Sequence, residues 1–223
     1  MNKIINIAID GPAGAGKSTI ARAAAERLNF IYVDTGALYR TVGVNALRKG
    51  VDTKSPQAVA ATLPGLEVSL KFVEGAQRVF LFGEDVSEEI RTPAASMAAS
   101  DVSAVPKVRE FLFDLQRDIA KKNNCLMDGR DIGTVVLPGA DLKIFLTASP
   151  EKRAMRRFLE LQQKKIPTNY EEVLADLKER DYNDSHRAVA PLKPAPDGVI
   201  VDTSDLTLEE SIEKIIDLVR EKI

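Results

Sequence analysis

A single cysteine, Cys125, leaves this chain with no internal disulfide and no cysteine metal cluster, so it reads as a protein of a reducing compartment. Long hydrophobic runs are missing too. The opening MNKIINIAID leads straight into a strand without a signal-peptide pattern, and no stretch is apolar enough to span a bilayer; a cytoplasmic protein without membrane partners is expected. Positive charge is not in excess: 31 Lys and Arg face 33 Asp and Glu, for a net charge of −2, which provides no footprint for a nucleic-acid polymer. A nucleotide is the better ligand. There are no repeats, no low-complexity tracts and no N-K-x-D segment of the kind that reads guanine in nucleotide-dependent switch proteins. The one histidine, His186, is read as a spectator. With 223 residues and 44% hydrophobic content, the chain can close one core, and residues 1–223 are read as a single unit carrying an insert.

What is present begins at Gly11. Residues 11–18 read GPAGAGKS, matching G-x-x-x-x-G-K-S/T at every fixed position directly after the apolar run Ile4 to Ile9. A chance match is expected in only about one chain in a hundred of this length. Glycine at positions 11, 14 and 16 lets backbone N–H groups turn toward an anion, and the helix that follows, with Ala21 to Leu28 as a helix-forming stretch free of Gly and Pro, adds its positive end. A triphosphate fits there. Gly11, Pro12, Ala13, Gly14, Ala15, Gly16, Lys17, Ser18 and Thr19 are therefore the candidate ATP contacts, with Lys17 as a point charge on the terminal phosphates and the Ser18 hydroxyl as a ligand for the accompanying Mg²⁺.

Five apolar segments alternate with helical ones: Ile4 to Ile9, Phe30 to Val33, Cys125 to Met127, Leu142 to Leu146 and Val199 to Val201. This alternation predicts an α/β fold with a five-stranded parallel sheet and helices on both faces. Four strands end in Asp10, Asp34, Asp128 and Asp202, at the carboxyl ends that line the ligand crevice of open sheets. The long stretch from Asp34 to Cys125 contains its own alternating runs, Leu66 to Phe72 and Arg78 to Phe82, and predicts an insert with a small antiparallel sheet. Ser55-Pro56 and Ser149-Pro150 each open a helix. The spacing of Val105, Val108, Leu112, Leu115 and Ile119 predicts a helix over 102–121, the charged stretch Glu171 to Glu179 another, and Thr207-Leu208-Glu209-Glu210 is a capping box for the last. Between the fourth and fifth strands, EKRAMRRFLELQQKK is dense in Arg and Lys and suits a basic flap over bound triphosphate.

Three further clusters follow or precede strands: DTGALYR from Asp34, DGRDIG from Asp128 and KERDYNDSHRAVAPL from Lys178. They bring Arg40, Arg130, Arg180 and Arg187 to a chain that already has Lys17, and forked guanidinium donors match a second phosphoryl group. In this order and spacing, GPAGAGKST, DTGALYR, SEEIRT, DGRDIGTVV and ERDYNDSHRAVAPL resemble the cytidylate kinase family of nucleoside monophosphate kinases over essentially the whole chain.

The resemblance implies a P-loop kinase fold, with residues 62–102 as a mixed monophosphate-binding insert and 150–169 as a helical lid. It implies transfer of the γ-phosphoryl group of ATP, with Mg²⁺, to CMP and dCMP, by a monomer. The acceptor phosphate is placed near Thr35, Arg40, Arg130 and Arg180, with Tyr39 in the same segment; cytosine near Ser100, Arg109 and Asp131; the sugar near Asp184 and Arg187. Lys17, Arg130, Arg180 and the lid arginines Arg153 and Arg157 form the implied catalytic set, and Asp128 holds the metal through water or supports the turn that follows it. Two other acceptors stay open on the residues alone: UMP, and a small hydroxyl metabolite, for which Asp34, Asp128 or Asp131 is the candidate base.

Overall fold

A computed structural model describes residues 3–73 and 76–222. The five expected strands form, each within two residues of its expected start: β1 (Asn6–Asp10), β2 (Ile31–Asp34), β6 (Cys125–Gly129), β7 (Leu142–Thr147) and β8 (Val199–Asp202). They make a five-stranded sheet in the order β2-β6-β1-β7-β8, with β1 parallel to β6 and β7, and β7 parallel to β8. The sheet is flanked by helices. α1 (Lys17–Leu28) and α8 (Leu208–Arg220) pack on it through Ile20, Ala21, Ala24, Ile212, Ile215, Ile216 and Val219, against Ile7, Ile9, Leu126, Ile144, Leu146 and Val201 of the strands. The predicted capping box of α8 is present in full. β1 lies between β6 and β7, so the chain departs from it in both lateral directions; its carboxyl end is the topological switch point where ligands bind.

The chain divides into two compact units, and the division falls inside β2: one unit runs up to Tyr32 and resumes at Asn123, the other spans Val33–Lys122. The second contains the stretch 62–102 and begins where β2 leaves the sheet. It comprises α2 (Thr35–Arg48), α3 (Pro56–Ala60), a three-stranded sheet of β3 (Val68–Val73), β4 (Ala76–Leu81) and β5 (Glu84–Asp85), α4 (Pro93–Ser103) and α5 (Pro106–Lys122). β3, β4 and β5 pair antiparallel, as the alternating runs predict. Its own core gathers Leu38, Val42, Val59, Val79, Leu81, Val102, Val108 and Leu112. At Gly43, α2 and α4 touch so closely that a Cβ would lie 2.9 Å from that of Ala98.

Two helix expectations need correction. The helix predicted over 102–121 is broken: α4 ends at Ser103 and α5 begins at Pro106, since proline disfavours the helical conformation in the residue before it. The helix predicted over 171–179 is longer, and α7 runs Tyr170–His186 after α6 (Pro150–Gln163). Its second half lacks an apolar face and is held instead through the carboxylates of Asp181 and Asp184, which pair with buried or half-buried arginines.

Candidate functional site

Among the described residues, every α-helix with a described cap except α1 has a side chain capping its N-terminus: Asp34, Ser55, Thr92, Ser149, Asn169 and Thr207 perform this at α2, α3, α4, α6, α7 and α8. α1 is entered through Gly16 at φ 86° with no side-chain cap, so its first N–H groups are left for an external anion. The loop before it is fixed by close packing. Gly11 has φ 150°, and a Cβ there would lie 1.9 Å from the Leu146 carbonyl oxygen of β7, which admits only glycine.

Lys17 is buried at the first position of α1, its Nζ donating to the Pro12 carbonyl at 2.8 Å. Burial lowers its ammonium from 10.5 to about 7; the Arg130 and Arg180 guanidinium groups push the same way, against the attraction of Asp128 and Asp10. Three cations thus converge on the mouth of the loop. A polyphosphate placed there would reverse the balance. At pH 8 Lys17 is then largely neutral, and an anion that restores an ordinary lysine pKa draws a proton onto it on binding. Calorimetric titration of ATP at pH 8 in two buffers of different ionisation heat is expected to give enthalpies that differ accordingly; identical enthalpies would contradict this reading of Lys17.

Carboxylates support the loop from the strand ends. Asp128 on β6 accepts the Ser18 hydroxyl through Oδ2 at 2.9 Å and the Tyr32 hydroxyl through Oδ1 at 2.9 Å. Asp10 on β1 accepts the backbone N–H groups of Ile132 and Gly133, each at 2.8 Å, fixing the π-helical turn Ile132–Val136 that follows Arg130 and Asp131. Burial pushes the Asp10 carboxyl up to about 6, against these two hydrogen bonds. Tyr32 was not singled out in the sequence; an apolar-flanked tyrosine inside a strand has no local signal of a polar partner 96 positions away.

Arg130 Nε donates to Asp184 Oδ2 of α7 at 2.7 Å. Burial alone would raise the Asp184 carboxyl; the charges of Arg130, Arg180 and Arg187 and the Arg130 hydrogen bond outweigh it and hold the group below its usual range. Asp131 pairs with Arg187 at 3.3 Å, both side chains at least nine-tenths buried. The first unit therefore brings together Lys17, Ser18, Asp128, Arg130 and Asp184, with the Arg180 charge acting on Lys17 and Asp184, and the Asp131–Arg187 pair joined to them through the Arg187 charge on Asp184. Thr19 is exposed.

Two expected lid residues differ. Arg157 is half-exposed on α6 and pairs with Glu160, one turn on. Arg153, expected on a mobile flap, is instead 3% exposed and hydrogen-bonded to backbone carbonyls of the Ala13 and Ala148 peptides. The spacing of a basic helix does not reveal which of its arginines points inward.

The second unit groups the remaining candidates. Asp34 caps α2 by accepting the Ala37 N–H at 3.0 Å and also takes Arg40 Nη2 at 2.7 Å. Arg40 Nε is buried with no hydrogen-bond partner among the described residues, a donor that suits an anion. Thr35 is buried at the start of the same helix. The Arg109 guanidinium stands 5.7 Å from the Tyr39 ring centroid and donates to the Ser103 carbonyl at 3.3 Å, while the Ser103 hydroxyl donates to the Ser100 carbonyl at 2.8 Å. His186 is exposed and stacks on Tyr182. Among the described residues no helix is long and apolar enough to cross a membrane.

A family model described as Cytidylate kinase matches residues 7–221. The cytidylate kinase of Caldicellulosiruptor saccharolyticus is 50% identical over 216 residues, covering 97% of this chain and 96% of that protein. That of Pelotomaculum thermopropionicum is 51% identical over 217 residues, again 97% of this chain and 96% of its own length. Among solved structures, an uncharacterized protein from Eubacterium ventriosum aligns over 97% of this chain and 98% of its own with a TM-score of 0.53 at 12% identity, a likeness of fold alone.

Proposed function

The chain belongs to the cytidylate kinase family, and on that footing we propose that it transfers the γ-phosphoryl group of ATP to CMP and dCMP, giving ADP and the corresponding diphosphate. The observation that carries this reading is the convergence of Lys17, Arg130 and Arg180 at the uncapped start of α1, a charge arrangement suited to phosphates of high negative charge.

The donor is held by the loop from Gly11 to Thr19, with backbone N–H groups on the phosphates and Lys17 on the terminal ones. An acceptor phosphate, with a second pKa near ~6, is already ionised at neutral pH, so no strong general base is required. The chain's work is to place the acceptor oxygen in line with the γ-phosphorus and to neutralise the charge that spreads over the equatorial oxygens. Arg130, oriented by Asp184, and Arg180 serve that end, with Arg157 supplying further positive charge from α6. Thr35 and Arg40 hold the acceptor phosphate, the unpartnered Nε of Arg40 supporting this role. Tyr39 backs Arg109, which together with Ser100 and Asp131 reads cytosine, and Asp184 and Arg187 meet the sugar.

Mg²⁺ fits the donor chemistry at hand: Ser18 would offer its hydroxyl to the ion, and Asp128, hydrogen-bonded to that hydroxyl, would hold water around it. When bound, it neutralises phosphate charge. Ser18, Asp128 and Tyr32 hold its side of the site in register.

Product analysis tests the proposal. With ATP labelled in the γ-phosphate, the label is expected in the β-phosphate of CDP, and unphosphorylated cytidine is expected to accept none. Transfer to cytidine or another alcohol at a comparable rate would establish the hydroxyl-acceptor reading instead.

A further inference from the structure

Asp181 reaches the phosphate loop through one intermediary. Arg153 of α6 divides its guanidinium among three partners: Nε donates to the Ala148 carbonyl at 2.8 Å, Nη1 to the Ala13 carbonyl at 2.8 Å and Nη2 to Asp181 Oδ2 at 2.6 Å. The second carboxylate oxygen of Asp181 is buried and has no hydrogen-bond partner among the described residues, so the side chain's polar contact is with Arg153 alone. Loop and helices are also packed together. Ala13 joins Ala154 of α6 with Val173 and Leu177 of α7 in one apolar cluster, and a Cβ at Gly14 would stand 3.2 Å from the Cβ of Arg153.

In a planar trans peptide, the carbonyl and the following N–H point in opposite directions. Tethering the Ala13 carbonyl to Arg153 therefore aims the Gly14 N–H away from that side chain. From this geometry we propose that Asp181 is a positioning residue for the phosphoryl donor: through Arg153 it fixes the Ala13–Gly14 peptide, and with it the direction of a loop N–H that meets the triphosphate. An isolated arginine has several staggered arrangements; the carboxylate selects the one that presents Nη1 to the loop. Removing it leaves a buried guanidinium short of a partner and free to release Ala13. The same helix places Asp184 on Arg130, so α7 orients one group on the donor side and one on the acceptor side. This inference rests on the phosphoryl-transfer reading and adds Asp181 to it.

The test compares wild type with Asp181→Ala, Asp181→Asn, Arg153→Gln and the Asp181→Ala/Arg153→Gln double variant. ATP affinity is measured calorimetrically without acceptor, and KM for ATP, KM for CMP and kcat in steady state. Asp181→Ala is expected to weaken ATP about tenfold with CMP affinity within about twofold, Asp181→Asn to recover part of the loss, and Asp181→Ala to add nothing in the Arg153→Gln background. ATP affinity unchanged in Asp181→Ala, equal losses for ATP and CMP, or additive effects in the double variant would each overturn the proposal. Should Arg153→Gln fail to fold, the order wild type, Asn, Ala in ATP affinity decides alone. A wild-type enzyme without CMP-dependent turnover would instead remove the reading beneath it.

Discussion

Lys17→Ala is expected to lower turnover with saturating ATP and CMP by roughly a thousandfold while leaving the fold intact. The activity loss follows from position: Nζ sits at the first residue of α1, tied to the Pro12 carbonyl, and in the proposed reaction it faces the terminal phosphates. The intact fold follows from electrostatics. An ammonium whose pKa falls from 10.5 to about 7 on folding binds fewer protons in the folded state, so its contribution to stability rises with pH between those values and is unfavourable at neutral pH. Deleting it removes that unfavourable burial, offsetting the lost packing of its methylenes. Thermal melting without nucleotide should therefore shift little at pH 7, and the stabilisation normally given by ATP should largely disappear. A variant that keeps a tenth or more of wild-type turnover would show that Lys17 is not the group acting on the terminal phosphates.

Asp131→Ala carries the second large expectation, in selectivity rather than rate. The cytosine amine donates where uracil presents its O4 acceptor, and ring N3 accepts where uracil carries N–H; a carboxylate and a guanidinium set against the first pattern leave buried groups unpaired against the second, at about 1–3 kcal/mol each. Wild type is accordingly expected to favour CMP over UMP in kcat/KM by about tenfold to several hundredfold, and the alanine variant to lose most of that ratio. Asp131 is also the partner of Arg187 at 3.3 Å, so part of the loss is shared by both acceptors through a displaced sugar contact. Only the unshared part reports base reading. If CMP and UMP decline by the same factor, Asp131 merely supports Arg187, and cytosine is read elsewhere.

The parts of this account with short-range signals were legible in the sequence. The phosphate loop announces itself because its glycines, lysine and serine lie within eight residues and its strand immediately precedes it; the five core strands do so because they are β-branched and aliphatic runs, four of which lead into aspartates. Proline broke the long helix expected before β6 by a local rule applicable in advance at Pro106. The supporting contacts were not legible in that way. Arg153 and Arg157 are four residues apart on a helix that reads as uniformly basic, yet one is buried against Ala13 and the other pairs at the surface with Glu160. Asp10 and Tyr32 take partners more than ninety positions away, and no periodicity encodes such pairs. α7 outran its expected end because Asp181 and Asp184 bury charge against arginines, where a hydrophobic pattern would have registered an exposed loop.

The most direct measurement is ADP release from Mg-ATP by the purified protein with CMP, dCMP, UMP, AMP or no acceptor, side by side. CMP and dCMP are expected to drive release far above the acceptor-free rate, UMP weakly and AMP not at all. Release at one and the same rate in all five, or none with CMP, would contradict the account.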